Sequence, residues 1–249
     1  METTPLAVVI LAAGQGKRMA NPDLPKVMVE LAGKPMLGRV LSVVSELSPA
    51  RTILIVGHHR ELVINYTVAN FGTDIEFAVQ QEQLGTGHAV MQTEKLLKNF
   101  EGNVLILSGD VPLLTVETIQ KLIAYHEAEN NDLSMLTVNI ADPTHYGRII
   151  RDESGKLQGI VEDRDATPEQ KSITEINPAI YIVRNVRLFE ALNHIAAHNA
   201  QGEYYLTDIV GVMNTAGNKI GALTADDYKE TVGVNTPEEL TEAEEILRG

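Results

Sequence analysis

The chain of 249 residues contains no cysteine and no tryptophan, and aromatic residues make up only 4% of it. Without thiols it has no disulfide, no thiolate metal site and no cysteine nucleophile, a composition that agrees with a reducing, cytoplasmic setting. Basic residues are outnumbered, 20 Lys and Arg against 34 Asp and Glu, which leaves a formal net charge of −14. Such a surface repels polyphosphate backbones, so a nucleic-acid partner is not expected. A small phosphate ligand must instead be held by a few local cations with help from a divalent metal. No apolar run reaches the length of a membrane helix, and the start, Met1-Glu2-Thr3-Thr4-Pro5, puts no basic region ahead of its first hydrophobic stretch. Neither export nor a membrane partner is expected. Internal repeats, low-complexity segments and linkers are missing as well, and the length suits one α/β domain over residues 1–249.

What the chain does carry is organised around Leu6 to Met19, Leu-Ala-Val-Val-Ile-Leu-Ala-Ala-Gly-Gln-Gly-Lys-Arg-Met. Its aliphatic run reads as a central parallel strand. Gly14 and Gly16 then free the backbone to present N–H groups just before Lys17 and Arg18, which suits a phosphate. A Walker loop does not fit, because Gly14 is only three positions before Lys17 and no hydroxyl follows. A dinucleotide fingerprint does not fit either, since Met19 stands where its third glycine belongs. A plain tight turn leaving a sheet is an equal reading of this stretch by itself.

Beyond it, apolar spacing predicts helices over 36–47, 61–71, 116–129 and 185–198, and buried strands over 52–56, 75–79, 104–107 and 133–138. Shorter strands at 147–150, 157–161 and 179–183, with few helices between them, read as a β-rich insertion at about 144–183 that forms a lid over the sheet edge.

Several loops carry candidate chemistry. Pro25 fixes an extended segment that presents Lys26 just past the glycine loop, although a single lysine is usually only solvated. In the loop from Gln80 to Ala89, glutamine amides that donate and accept suit a nucleobase edge, Gly85 and Gly87 allow close backbone approach, and Thr86 can cap the following helix. A purely structural strand–turn–helix junction competes with that reading. Asp110, between Gly109 and Pro112 at a strand end, is a hard-oxygen ligand suited to Mg²⁺ or an ordinary turn aspartate. Thr236-Pro-Glu-Glu239 reads as a capping box, which fixes Asn235 on a strand-to-helix loop. Within the insertion, Gly147, Glu162 and Asn177 can face hydroxyls, though Glu162 also fits the charged loop Glu162-Asp-Arg-Asp165. Tyr204 can stack on a sugar or merely pack. The histidine pairs are not expected to bind metal: His58 and His59 are neighbours that point apart in an extended chain, and His194 and His198 have helical zinc spacing but no third ligand.

Taken together, Leu11-Ala-Ala-Gly-Gln-Gly-Lys-Arg-Met19, Leu24-Pro-Lys26, Gln80 to His88, Gly109-Asp110 with Pro112-Leu113, Tyr146-Gly-Arg148, Glu175-Ile-Asn177, Gln201 to Tyr205 and Gly233-Val-Asn235 resemble the nucleotide-sugar pyrophosphorylase family. Within it they are most similar to the uridylyltransferase domain of the bifunctional bacterial N-acetylglucosamine-1-phosphate enzymes. The resemblance implies a Rossmann-like α/β fold, a mostly parallel sheet with helices on both faces and a small β-rich sugar-binding lid. It implies transfer of UMP from UTP to N-acetylglucosamine 1-phosphate, with Mg²⁺ as cofactor and pyrophosphate as the second product. Leu11, Ala12, Ala13, Gly14, Lys26, Gln80, Gln83, Gly85 and Thr86 would bind the nucleotide, and Arg18, Lys26 and Asp110 would be catalytic. Asp110 and Asn235 would hold the metal, and Gly147, Glu162, Asn177 and Tyr204 the amino sugar.

The chain departs from well-known members in three places. Ser108 replaces an aromatic residue before Gly109-Asp110, and Asn177-Pro178-Ala179 replaces Asn-Thr-Gly. The bifunctional enzymes continue into a β-helix that carries acetyl transfer, and no such domain is expected before Gly249.

Overall fold

The aliphatic run near the start forms strand β1, Leu6–Leu11, whose inner four residues are fully buried. A computed structural model of the chain describes residues 4–14, 16, 19 and 24–248. After β1 come a short hairpin, β2 (Glu30–Leu31) and β3 (Lys34–Pro35), then α1 (Met36–Leu47), β4 (Arg51–Val56), α2 (Arg60–Phe71) and β5 (Ile75–Val79). Next are α3 (Thr86–Met91), α4 (Glu94–Leu97), β6 (Asn103–Ser108), α5 (Val116–Glu129) and β7 (Leu133–Asn139). The later part adds β8 (Gly147–Arg151), β9 (Leu157–Val161), α6 (Pro168–Lys171), β10 (Glu175–Asn177), β11 (Tyr181–Arg184), α7 (Asn185–Leu192), α8 (Asp208–Thr215), β12 (Ile220–Thr224) and α9 (Pro237–Arg248).

Among the described residues, ten strands form one sheet in the order β5-β4-β1-β6-β11-β7-β10-β8-β9, with β12 pairing along β7. Strands β5, β4, β1 and β6 run parallel, and β12 is parallel to β7, while β11 opposes both β6 and β7. The alternation of side chains along β1 sends Ala7 and Val9 into one hydrophobic layer and Val8 and Ile10 into the other. Helices α1, α2 and α5 cover the layer of Val8 and Ile10 with Leu37, Leu41, Val63, Ile119 and Leu122. Helices α3, α7 and α8 cover the opposite layer with Val90, Leu188, Leu192, Ile209 and Val210. Both faces being covered explains why the central strands read as unbroken apolar runs.

The segment expected to be a lid divides in two. Strands β8, β9 and β10 extend the sheet at one end, but β11 lies in its middle, between β6 and β7. Both β10 and β11 pair with β7: Ile176 faces Val138 and Tyr181 faces Met135, so five steps along this segment match three on β7. The excess is taken up at Pro178-Ala179, where the chain turns from the sheet's extension into its centre. Two further expectations are corrected. The helix predicted over 185–198 ends at Leu192: Asn193 N–H still donates to the Phe189 carbonyl four residues back, but His194 N–H turns to Ala191, so His194 and His198 share no helix face. Val232 to Val234 is not a strand; the Val234 N–H instead donates to the Asp110 carbonyl at 2.9 Å.

At the amino ends of the strands, His126 of α5 is buried between Ser134 Oγ, 3.0 Å from its Nδ1, and Asn103 Oδ1, 3.3 Å from its Nε2. Burial, helped by the Arg184 charge, lowers its pKa from 6.5 to about 4. The unfolded imidazole takes a proton first as pH falls. The stability contributed by neutral His126 is therefore complete above pH 6.5 and is lost progressively as pH falls towards about 4. Thermal unfolding midpoints measured across that range should fall more steeply for the wild type than for His126→Gln; equal slopes would refute this role.

Candidate active site

The parallel strands end at one crevice, and their backbone pairing continues past the strands into the loops. Ala12 N–H donates to the Ile55 carbonyl, Gly109 N–H to Leu11 and Gln80 N–H to Val56, each at 2.9 Å. This ties the carboxyl ends of β1, β4, β5 and β6 into a single floor, the usual place for a ligand in a sheet of this type. A cleft of about 600 Å³ opens over it, lined by Leu11, Ala13, Gly14, Lys26, Gln80, Gln83, Gly85, Thr86, Asp110 and Asn235. Ala12 is buried beneath the floor and does not line the cleft. Arg18 lies outside the described residues.

Three segments meet at the Lys26 ammonium. Pro25 starts a single turn of 3-10 helix, Lys26–Met28, that points the lysine inward. Its Nζ donates to Asp110 Oδ2 and, at 2.6 Å, to Asn235 Oδ1. Ser108 Oγ donates to the other carboxylate oxygen, Asp110 Oδ1, at 2.6 Å. Burial pushes the Asp110 carboxyl up, but the Lys26 charge and the hydrogen bonds from Lys26 and Ser108 outweigh it and hold the pKa below the usual carboxylate range. Asn235 is steadied by its own Nδ2, which donates to the Gly233 carbonyl at 3.1 Å, and by its N–H, which donates to Glu239 Oε2 at 2.5 Å. The predicted capping box at α9 is present: Glu239 N–H donates to Thr236 Oγ1 and Thr236 N–H to Glu239 Oε2. Asp110 Oδ2 and Asn235 Oδ1 thus converge as two oxygen donors, a set that suits a hard divalent cation completed by phosphate and water oxygens.

The second glycine loop is tied to its surroundings at several points. Gln83 Nε2 donates to the Ala13 carbonyl at 2.6 Å, joining the two loops, while Gln80 Nε2 donates to the Gly85 carbonyl at 3.0 Å and lies 3.2 Å from His88 Nδ1. Gln83 is exposed at the cleft and Gln80 is buried. Thr86 does not cap α3. It sits inside the helix after Gly85, and its hydroxyl accepts from Leu206 N–H at 3.0 Å. Gly85 has φ +108°, and a Cβ there would lie 2.5 Å from the Tyr204 carbonyl oxygen. The close approach permits Gly87 N–H to donate to the Tyr204 carbonyl and Tyr204 N–H to the Leu84 carbonyl, both at 2.8 Å.

Of the four residues expected at the sugar, Gly147, Glu162 and Asn177 lie together, with Asn177 of β10 opposite Gly147 of β8, while Tyr204 sits at the second glycine loop. Gly147 and Glu162 adjoin: a Cβ on Gly147 would meet Ile160 Cγ2 at 2.8 Å and lie 3.6 Å from both Glu162 carboxylate oxygens. Glu162 Oε1 accepts from Thr207 Oγ1 at 3.0 Å. Burial raises the Glu162 pKa, and Asp208, Asp165 and Asp163 add to the rise against the lowering by Thr207. Asn177 is buried, with Nδ2 donating to Tyr181 Oη at 2.6 Å and Oδ1 accepting from Ala179 N–H at 3.0 Å across Pro178. Tyr204 is held by its backbone to the second glycine loop, and its ring centroid lies 6.5 Å from that of His88.

Sequence reasoning missed Arg164 and Glu203, which line the cleft, and Thr207 and Tyr181, which hold Glu162 and Asn177. Thr207 follows the Gln201 to Tyr205 motif but, like Tyr181 in its apolar strand, carries no local signature of its partner. His58 and His59 have ring centroids 3.9 Å apart, because His59 is left-handed at φ 53° and the chain is not extended there. His194 Nδ1 lies 2.8 Å from the Glu190 carbonyl oxygen. Among the described residues no three His, Cys, Asp or Glu side chains cluster as a metal site.

The family model for nucleotidyl transferases matches residues 7–247. The chain belongs to the nucleotidyl transferase family. The bifunctional protein GlmU of Caldanaerobacter subterraneus subsp. tengcongensis is 47% identical over 243 residues, which cover 98% of this chain and 52% of that protein. GlmU of Lactococcus lactis subsp. lactis is 47% identical over 240 residues, covering 96% and 51%. The chain thus spans about half the length of the curated relatives it matches. Among solved structures, a Bacillus anthracis protein assigned as a glucose-1-phosphate thymidylyltransferase, crystallised with sucrose, superposes with TM-score 0.76 at 17% identity over 98% of this chain and 95% of that one. That likeness establishes the α/β nucleotidyl transferase fold expected from the sequence.

Ala179 has φ +60°, a left-handed conformation, where well-known members of the family carry glycine. Replacing it with glycine removes the Cβ clash and costs some unfolded-state entropy. Ala179→Gly should therefore stabilise the nucleotidyl transferase by about 0.5–1 kcal/mol. Urea titration checks this, and a lowered midpoint would contradict it.

Proposed function

We propose that the chain transfers UMP from UTP to N-acetylglucosamine 1-phosphate, releasing pyrophosphate, in a cytoplasmic setting. The observation that carries the reading is the meeting of Lys26, Asp110 and Asn235 in the cleft over the carboxyl ends of the parallel strands. The eight motifs of the pyrophosphorylase resemblance and the 47% identity to bifunctional GlmU proteins supply the substrate names.

The attacking group is an oxygen of the sugar phosphate, and the bond that breaks joins the α-phosphorus of UTP to the oxygen bridging to its β-phosphorus. A phosphate monoester has a second pKa of about 6, so the nucleophile is ionised near neutrality and no general base is needed. That agrees with a cleft lined by amides, cations and the carboxylates of Asp110 and Glu203. Lys26, with Arg18, supplies positive charge to the leaving pyrophosphate, and Arg164 at the cleft edge adds a further guanidinium. Asp110 and Asn235 would hold Mg²⁺, which when bound neutralises phosphate charge and aligns the two anions. Gln83 has its amide nitrogen on Ala13, which leaves Oε1 to accept the N3–H that uracil has and cytosine lacks. On the sugar side, the lack of a side chain at Gly147 lets the chain pack closely against Ile160 beside the Glu162 carboxylate, whose oxygens suit sugar hydroxyls. Asn177 keeps one N–H and one lone pair for the sugar after its contacts with Tyr181 and Ala179.

Asp110→Asn removes the full charge proposed for the metal while keeping its shape. It should lower turnover by at least about a hundredfold, roughly 3 kcal/mol of transition-state stabilisation. Pyrophosphate release in a wild-type-like amount would refute the metal role. The same assay, run with UTP and CTP against N-acetylglucosamine 1-phosphate and glucose 1-phosphate, should give the highest kcat/KM for UTP with the amino sugar. A preference for glucose 1-phosphate would overturn the named sugar and leave the nucleotidyl transfer intact.

A further inference from the structure

The Lys26 ammonium stands where the proposed metal ligands converge. Its Nζ is bonded to Asp110 Oδ2 and lies 2.6 Å from Asn235 Oδ1. A cation such as Mg²⁺ sits about 2.1 Å from its oxygens, so it and the ammonium need the same space. Both Asp110 carboxylate oxygens are engaged, Oδ1 by Ser108 Oγ at 2.6 Å and Oδ2 by the Lys26 ammonium that also reaches Asn235 Oδ1. The Asn235 carboxamide is turned the same way by the bond from its Nδ2 to the Gly233 carbonyl.

We propose that Lys26 is a stand-in cation: in the nucleotide-free protein its ammonium neutralises the Asp110–Asn235 pair, and loading is an exchange in which it leaves for the phosphates. This rests on the reading of Asp110 and Asn235 as metal ligands. The exchange needs little movement of the chain. The Lys26 backbone is fixed in the turn that follows Pro25, its side chain lines the same cleft as Gly14 and Gly16, and its flexible four-carbon stem can carry the ammonium across. Two consequences follow from one position being shared. Divalent cations bind weakly while Lys26 occupies their oxygens, and a triphosphate strengthens their binding by giving the ammonium another partner. Ser108 is a positioning residue in this scheme, because it keeps Asp110 Oδ2 aimed at the shared point in either state.

Mn²⁺ serves as the probe, with free Mn²⁺ counted by electron paramagnetic resonance in the absence of nucleotide. Lys26→Met should bind Mn²⁺ about tenfold more tightly than the wild type, a coupling of ordinary size for two ligands of one site. In the wild-type protein, Mn²⁺ should also raise the rate at which an amine-reactive reagent labels Lys26, read by peptide mass spectrometry. This second measurement decides the matter if Lys26→Met does not fold. Equal Mn²⁺ affinity in the two proteins, or Lys26 labelling that ignores Mn²⁺, overturns the exchange. The control is Asp110→Ala. If it abolishes Mn²⁺ binding while the exchange results are negative, the ligand assignment survives and only the stand-in role fails. If it leaves Mn²⁺ binding unchanged, the ligand assignment is itself wrong.

Discussion

One ammonium holds together parts of the chain that are 84 and 209 residues apart in sequence. Lys26 can reach Asp110 and Asn235 only because β1 and β6 are parallel neighbours and the loops that follow them stay paired, with Gly109 bonded to Leu11. The Asp110 carbonyl then receives Val234 N–H, which brings the approach to α9 against the same loop. A buried pair of this kind contributes little net stability after its desolvation, and breaking it by removing one partner is costly. Its value to the molecule is positional: it requires three loops to be correctly placed together.

The fold was legible where an aliphatic run or a helical spacing continues through a whole segment. α1, β5 and α5 have the bounds expected from helical spacing and aliphatic runs, and β1 forms from the run expected to be a central strand, because in those segments packing and local preference agree. The lid was only partly legible. Its strands are short and their pairing partners lie far off in sequence, so nothing in Tyr181–Arg184 marks it as central while Glu175–Asn177 sits farther out along the same edge of β7. Val232 to Val234 failed for a related reason: its alternation looks like a strand, but its hydrogen bond goes to a loop carbonyl.

The candidate site was legible at the residues that carry a sharp local signature, Lys26 after proline, Asp110 after glycine, Asn235 before a capping box, and Gln83 beside a glycine turn. These all line one cleft. The residues that hold them in place were not legible. Thr207 and Tyr181 act through single hydrogen bonds to Glu162 and Asn177, and a hydroxyl in an apolar stretch looks the same in sequence whether or not it has such a partner. Ser108 was visible as a departure from the family, but its bond to Asp110 depends on the turn between them.

Tyr204 is hydrogen-bonded through its backbone to Leu84 and Gly87, and Thr207, three residues on, reaches Glu162. The loop proposed to read the base and the loop proposed to grip the sugar therefore share one strip of main chain. Substitutions that widen the pocket for a different base would displace the carboxylate end as well. Their effects on the two selectivities should not add.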